Sequence, residues 1–142
     1  NILLKGHLLV ETFLEELLAV FDIQGQRTIN KMNFSEKLQC IGTFCNKKEG
    51  TIEKDIKKLL SSLYAINGVR NNLAHDYNFA VTETEINKIG INLGSTYILK
   101  KYAEGHENTK TNLIFCIEEI VAEIGSIIYH KICELKRLKT KI

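Results

Sequence analysis

An arginine and a histidine stand five residues apart in Val69-Arg70-Asn71-Asn72-Leu73-Ala74-His75-Asp76-Tyr77, with an asparagine directly after the arginine. The guanidinium of Arg70 cannot lose its charge under physiological conditions and presents a planar fork of N–H donors suited to phosphate oxygens. The imidazole of His75 can take up and return a proton near neutrality. Together they suit phosphodiester chemistry: the cation neutralises charge that develops on the phosphoryl oxygens, and the histidine moves the protons. Asn71 lies one helical turn before His75, so the two share a face, and its amide could hold the imidazole or a phosphate oxygen. Tyr77 follows two residues later with a hydroxyl of its own. The Arg-His spacing alone is a weak signal, because short motifs recur by chance. Its place at the close of an amphipathic helix strengthens it.

That helix is legible from both ends. Thr51 is placed to cap it, and Glu53 and Asp55 fall in the first turn, where the helix dipole favours acids. Ile52, Ile56, Leu59, Leu63 and Ile66 form one apolar stripe along it, and the helix should end between Ala74 and Tyr77. Arg70 continues the spacing of the stripe. An inward-facing guanidinium is costly unless it is paired or lies at an interface or cleft, so its position asks for a reason.

The remaining chain reads as helices that could support this one. Among 142 residues there is no proline and no tryptophan, and 44% are apolar. Proline removes a hydrogen bond and adds a clash in every helix interior, so its absence fits a chain that is mostly helical. Leu3, Leu4, Leu8, Leu14, Leu17, Leu18 and Phe21 recur at helical spacing over residues 2 to 22. Asn33 or Ser35 can cap a second helix over Glu36 to Cys45. Thr82 and Glu85 have capping-box spacing and open a fourth helix, followed by a loop over Lys100 to Thr109. A last helix runs from about Thr111 to Arg137, with an apolar stripe wide enough that one side could face a second subunit. The expected fold is all-α, an up-and-down bundle of about five helices in a single domain over residues 1 to 142, dimeric.

Other features exclude more than they assign. A net charge of +2 neither demands nor excludes a nucleic acid partner. Cys40, Cys45, Cys116 and Cys133 lie in apolar helical stretches without a Cys-x-x-Cys pair, which reads as reduced core thiols of a cytoplasmic protein. No signal-peptide pattern opens the chain, no stretch is apolar enough to span a membrane, and a start at Asn1 is what a trimmed piece would have. His7 and Glu11 share a helix face at i, i+4, the spacing of a surface hydrogen bond; with no third ligand they do not read as a metal site. His106 and His130 have no partners at ligand spacing, so no metal is assigned. Lys47, Lys48, Lys54, Lys57 and Lys58 alternate with acids, as on a solvated face, and basic residues gather after Leu135, as at a helix C-terminus. Glycine-rich phosphate loops, the nucleophile elbow and the dinucleotide fingerprint are all missing, so no cofactor is expected.

The stretch Arg70-Asn71-Asn72-Leu73-Ala74-His75 resembles the R-x4-6-H motif of the HEPN superfamily of all-helical domains, in which asparagine often follows the arginine. Tyr77 extends the match to R-x4-H-x-Y, the form found in HEPN toxins paired with nucleotidyltransferases, although Ala74 stands where those toxins commonly have valine. Gly6-His7-Leu8-Leu9, Phe34-Ser35-Glu36-Lys37-Leu38 and the Arg70 to Asp76 segment also resemble the mannitol-operon repressor branch, and the likeness covers about residues 3 to 86. The resemblance implies a metal-independent endoribonuclease of toxin or defence type, working as a homodimer in which two motifs face one cleft. In that picture His75 and Arg70 act on the 2'-OH and the phosphate of an RNA substrate, Asn71 orients the phosphate, and the products are a 2',3'-cyclic phosphate and a 5'-hydroxyl. Tyr77 would be a secondary residue, or the hydroxyl that a nucleotidyltransferase antitoxin modifies. The alternative is a non-catalytic HEPN-like regulatory or protein-interaction module of the mannitol-repressor kind.

Overall fold

The computed structural model describes residues 2–48, 50–76, 78–94, 97–98 and 109–140, and the described residues are helical with no strand. In chain order the helices are α1 (Ile2–Val20), α2 (Gln26–Lys31), α3 (Phe34–Lys47), α4 (Thr51–His75), α5 (Glu83–Gly90) and α6 (Thr109–Thr140), with a 3-10 turn at Ile91–Leu93 after α5. The expected loop over Lys100 to Thr109 falls almost wholly outside the described residues.

Two helix starts are fixed by a capping box. Asn33, not Ser35, caps α3: its side chain accepts from the Glu36 N–H at 2.8 Å, while Glu36 accepts from the Asn33 N–H at 3.2 Å. Thr82 and Glu85 form the same reciprocal pair at the head of α5. At α4 the expectation of a Thr51 cap fails, because Gly50 occupies the cap position with no side-chain bond and Thr51 is already helical. The short α2 has no amphipathic run of its own beyond the buried Ile29, which is why periodicity does not reveal it.

The direction of the helices follows from their contacts. His7 stacks on Phe34 and Phe21 meets Phe44, so α1 and α3 run the same way. An up-and-down order would have opposed them; α2 and its flanks carry the chain back to the starting end before α3 begins. Gly6 packs on Ile117 and Gly125 faces Phe13, so α6 also runs with α1. Helix α4 runs against α3, with Gly42 facing Leu60 and Cys45 within the field of Glu53. The C-terminus of α4 therefore arrives at the end of the bundle where α1 and α3 begin.

One continuous core joins these helices, with Leu14, Leu18, Leu38, Ile41, Leu63, Ile66, Ile86 and Ile120 almost fully buried. The broad stripe of α6 is consumed largely inside the chain, because α6 packs on α1, α4 and α5 at once. A polar staple crosses from α3 to α1: Lys37, its side chain 4% exposed, donates to Glu11 at 2.9 Å and to Glu15 at 2.8 Å. Burial pulls the Lys37 pKa down, but the bonds to Glu15 and Glu11 outweigh it and the net shift is upward. The four cysteines are free thiols, yet only Cys45 and Cys116 are buried; Cys40 is half-buried and Cys133 exposed, a correction to the expectation of four core thiols. Cys133 lies outside the strip that α6 turns to its partners. No helix among the described residues is long and apolar enough to cross a membrane.

Candidate functional site

Helix α4 ends just where the motif is complete. Asp76 leaves helical geometry with φ −125° and ψ 105°, its N–H still bonded to the Asn72 carbonyl at 2.8 Å. Its carboxylate then accepts from the Asn78 N–H at 3.0 Å, and the Phe79 N–H donates to the Asp76 carbonyl at 3.1 Å. These bonds turn the chain away directly after His75, so the imidazole stands on the final residue of the helix.

Arg70, Asn72 and His75 are exposed and Asn71 is half-buried. The inward-facing guanidinium expected from the stripe is not found; Val69, 4% exposed, takes the buried position beside Ile66. The reason is the angular position on α4: Val69, and Leu73 one turn on, keep the apolar face of the last two turns on the core, and Arg70, ~100° round from Val69, falls on the solvent side. A cation at that point remains in water and pays little desolvation.

At about 100° per residue, Arg70 and His75 leave the helix ~140° apart. A hydrogen bond narrows the gap: Arg70 Nη1 donates to Asn71 Oδ1 at 3.2 Å, drawing the guanidinium toward the Asn71 side, and Asn71 lies ~40° from His75. Asn71 thus holds the arginine and not, as its spacing suggested, the imidazole. His75 makes no hydrogen bond or ion pair among the described residues. On its side of the helix a small cleft of about 180 Å³ opens between α4 and α5, lined by Gly68, Asn72, Glu85 and Lys88 among others. Tyr77 lies outside the described residues.

Behind the arginine is a group that spacing placed wrongly. His7 is not on the surface with Glu11: it is 4% exposed, its Nε2–H donates to Asn67 Oδ1 at 3.3 Å, and its ring lies on Phe34 at 4.3 Å. Burial lowers its pKa below 6.5; the bond to Asn67 opposes this, the Arg70 charge adds to it, Glu11 opposes and Lys37 adds. Asn67 precedes Arg70 by one turn. Only a cross-helix contact reveals its role, although a polar residue beside the stripe residue Ile66 was a visible hint.

No known protein family, curated protein or solved structure matches this chain. No group of three or more histidine, cysteine or acidic side chains among the described residues could hold a metal ion. His130 is exposed beside Tyr129, and His106 lies outside the described residues. Lys47, Lys48, Lys54, Lys57 and Lys58 are exposed, as a solvated face requires.

Proposed function

We propose that this chain is a HEPN-type domain that cleaves RNA without a metal, as a homodimer in which two copies of the Arg70-Asn71-His75 motif share one cleft. The observation that supports it best is a fixed charge and an imidazole, both open to solvent, at the end of one long helix, with Asn71 drawing the guanidinium toward the side that carries His75. Structural ion pairs are normally satisfied within the fold; here Arg70 bonds only a neutral amide among the described residues, and its charge remains for an anion.

In this reading Arg70 stabilises the negative charge of the pentacoordinate phosphate, and Asn71 orients the guanidinium toward it. One His75 takes the 2'-OH proton while the histidine of the second copy gives a proton to the leaving 5'-oxygen, leaving a 2',3'-cyclic phosphate. Each motif carries one histidine, and the reaction needs both a base and an acid, which is the reason for two copies. Tyr77 is kept as the position a nucleotidyltransferase antitoxin would modify.

The test is cleavage of RNA by purified protein in excess chelator. Arg70→Ala and His75→Ala should each lower the rate about 10²–10⁴-fold, the usual worth of a positioned acid, base or oxyanion donor. Both side chains are exposed, so stability should change by no more than about 0.5 kcal/mol. Full activity in either variant would end this mechanism.

A second reading, a non-catalytic interaction module, draws on a different observation. Leu4, Leu8 and Leu9 on α1 are 42%, 62% and 45% exposed, close to the same end of the bundle. In that case wild-type protein leaves RNA intact and polar substitutions at Leu8 abolish partner binding.

A further inference from the structure

His7 is a buried titratable ring next to the motif that the proposed chemistry leaves unused. It is held on three sides: Gly6 beside it packs against Ile117 of α6, its ring lies on Phe34 of α3 with 28° between planes, and Nε2 bonds Asn67 of α4. A ring so enclosed cannot touch a ligand that arrives from solvent. It can act only through what it holds.

What it holds is the turn of α4 that carries Arg70. Asn67 and Arg70 are three residues apart and so project from neighbouring sides of the helix. We propose that His7 is a positioning residue of the Arg70 site: through Asn67 it fixes the turn that presents the guanidinium, and an anion seated on Arg70 is bound together with a proton on His7. The second half rests on the phosphodiester reading above.

The coupling follows from the charges that act on the ring, which come from α1, α3 and α4, while α6 meets this segment with the apolar Ile117. Glu11 on α1 favours the imidazolium; Lys37 on α3 and Arg70 on α4 oppose it. Lys37 is already bonded to Glu11 and Glu15. Arg70 is exposed and bonds only the neutral Asn71 among the described residues, so its charge is the one an incoming phosphate neutralises. With that repulsion removed, a proton on His7 costs less. Linkage is reciprocal: if the anion helps the proton bind, the proton helps the anion by the same factor. Anion affinity should therefore rise as pH falls through the His7 titration, even when His75 has been replaced.

The experiment is an NMR titration of the His7 ring, its signal assigned by loss in His7→Gln, using an RNA dinucleotide with a 2'-O-methyl group that blocks cleavage. Arg70→Gln should shift the His7 midpoint upward. Saturating dinucleotide should shift it upward in wild type and in His75→Ala, and not in Arg70→Gln. In Asn67→Ala the effect of Arg70→Gln should shrink, as a double-mutant cycle requires if the amide transmits the position. An unchanged midpoint in Arg70→Gln overturns the proposal. A shift in Arg70→Gln without a shift on dinucleotide addition overturns the proton–anion half; RNA cleavage in chelator by the same wild-type sample then shows whether the nuclease reading survives separately.

Discussion

A histidine 4% exposed and a lysine 4% exposed make the stability of this protein depend on pH in opposite directions. In the unfolded chain His7 takes its proton near 6.5, and in the folded chain only at lower pH, because burial disfavours the imidazolium. Above 6.5 both states are neutral and the contribution of His7 is complete. As pH falls below 6.5 the unfolded state is protonated first, so stability drops until the folded ring is protonated as well. Lys37 is raised above its ordinary 10.5, so its contribution is complete below 10.5 and is lost as pH rises through the folded value. Urea midpoints should therefore fall on acidification from 6.5, and His7→Gln should flatten the slope above about pH 5, where ordinary carboxylates have finished titrating. An equally steep slope in His7→Gln would assign the effect to another group.

Among the described helices, α1 and α6 share the most extensive contact, and Gly6 lets α1 come down onto Ile117. A Cβ at Gly6 would run into the Ile117 Cγ2 methyl, and Ile117 is 6% exposed on a helix, where a β-branched side chain is stiff at χ1. Overpacking of this kind costs about 1–3 kcal/mol, more than the ~1 kcal/mol that alanine gains over glycine in a helix interior. Gly6→Ala should be net destabilising. Gly42→Ala is the control: its nearest neighbour is Leu60 Cδ1 at 3.5 Å, an ordinary contact, so helix propensity wins and stability should rise by up to about 1 kcal/mol. Denaturation midpoints of the pair read both signs. The same scale explains what could be read beforehand. The stripes of α3 and α4 and the caps at Asn33 and Thr82 are local properties of the sequence, and they appear where spacing put them; on α1 the second half of the stripe, Leu14, Leu17, Leu18 and Phe21, is buried, but Leu4 and Leu8 face solvent. The parallel course of α1 and α3, the burial of His7 and the exposure of Arg70 depend on which helix lies opposite and where it ends, which no periodicity contains. The residues of the motif were legible; the turn that supports them from His7 was not.

Across the whole molecule, the buried thiols offer a test of whether the chain opens as one unit. Burial pushes the Cys45 thiol up to about 11, with the charge of Glu53 adding to it, and the Cys116 thiol up to about 12, with Glu83 and Glu119 adding. Only the thiolate reacts with a disulfide reagent, and both groups are enclosed, so neither should react in the folded state. Cys133 is exposed and should react at once; Cys40, half-buried in α3, should follow more slowly. Cys45 lies between α3 and α4, whereas Cys116 lies on α6, and the same continuous core contains both. If that core is a single cooperative unit, both thiols wait for the same global opening. Their labelling rates, each corrected for the intrinsic thiol rate, should then give one opening free energy equal to that from urea unfolding, in the usual range of about 5–15 kcal/mol. Helix α6 follows a segment outside the described residues and packs most extensively against α1. Cys116 labelling well ahead of Cys45 would therefore show α6 leaving first, and the bundle would be two units rather than one.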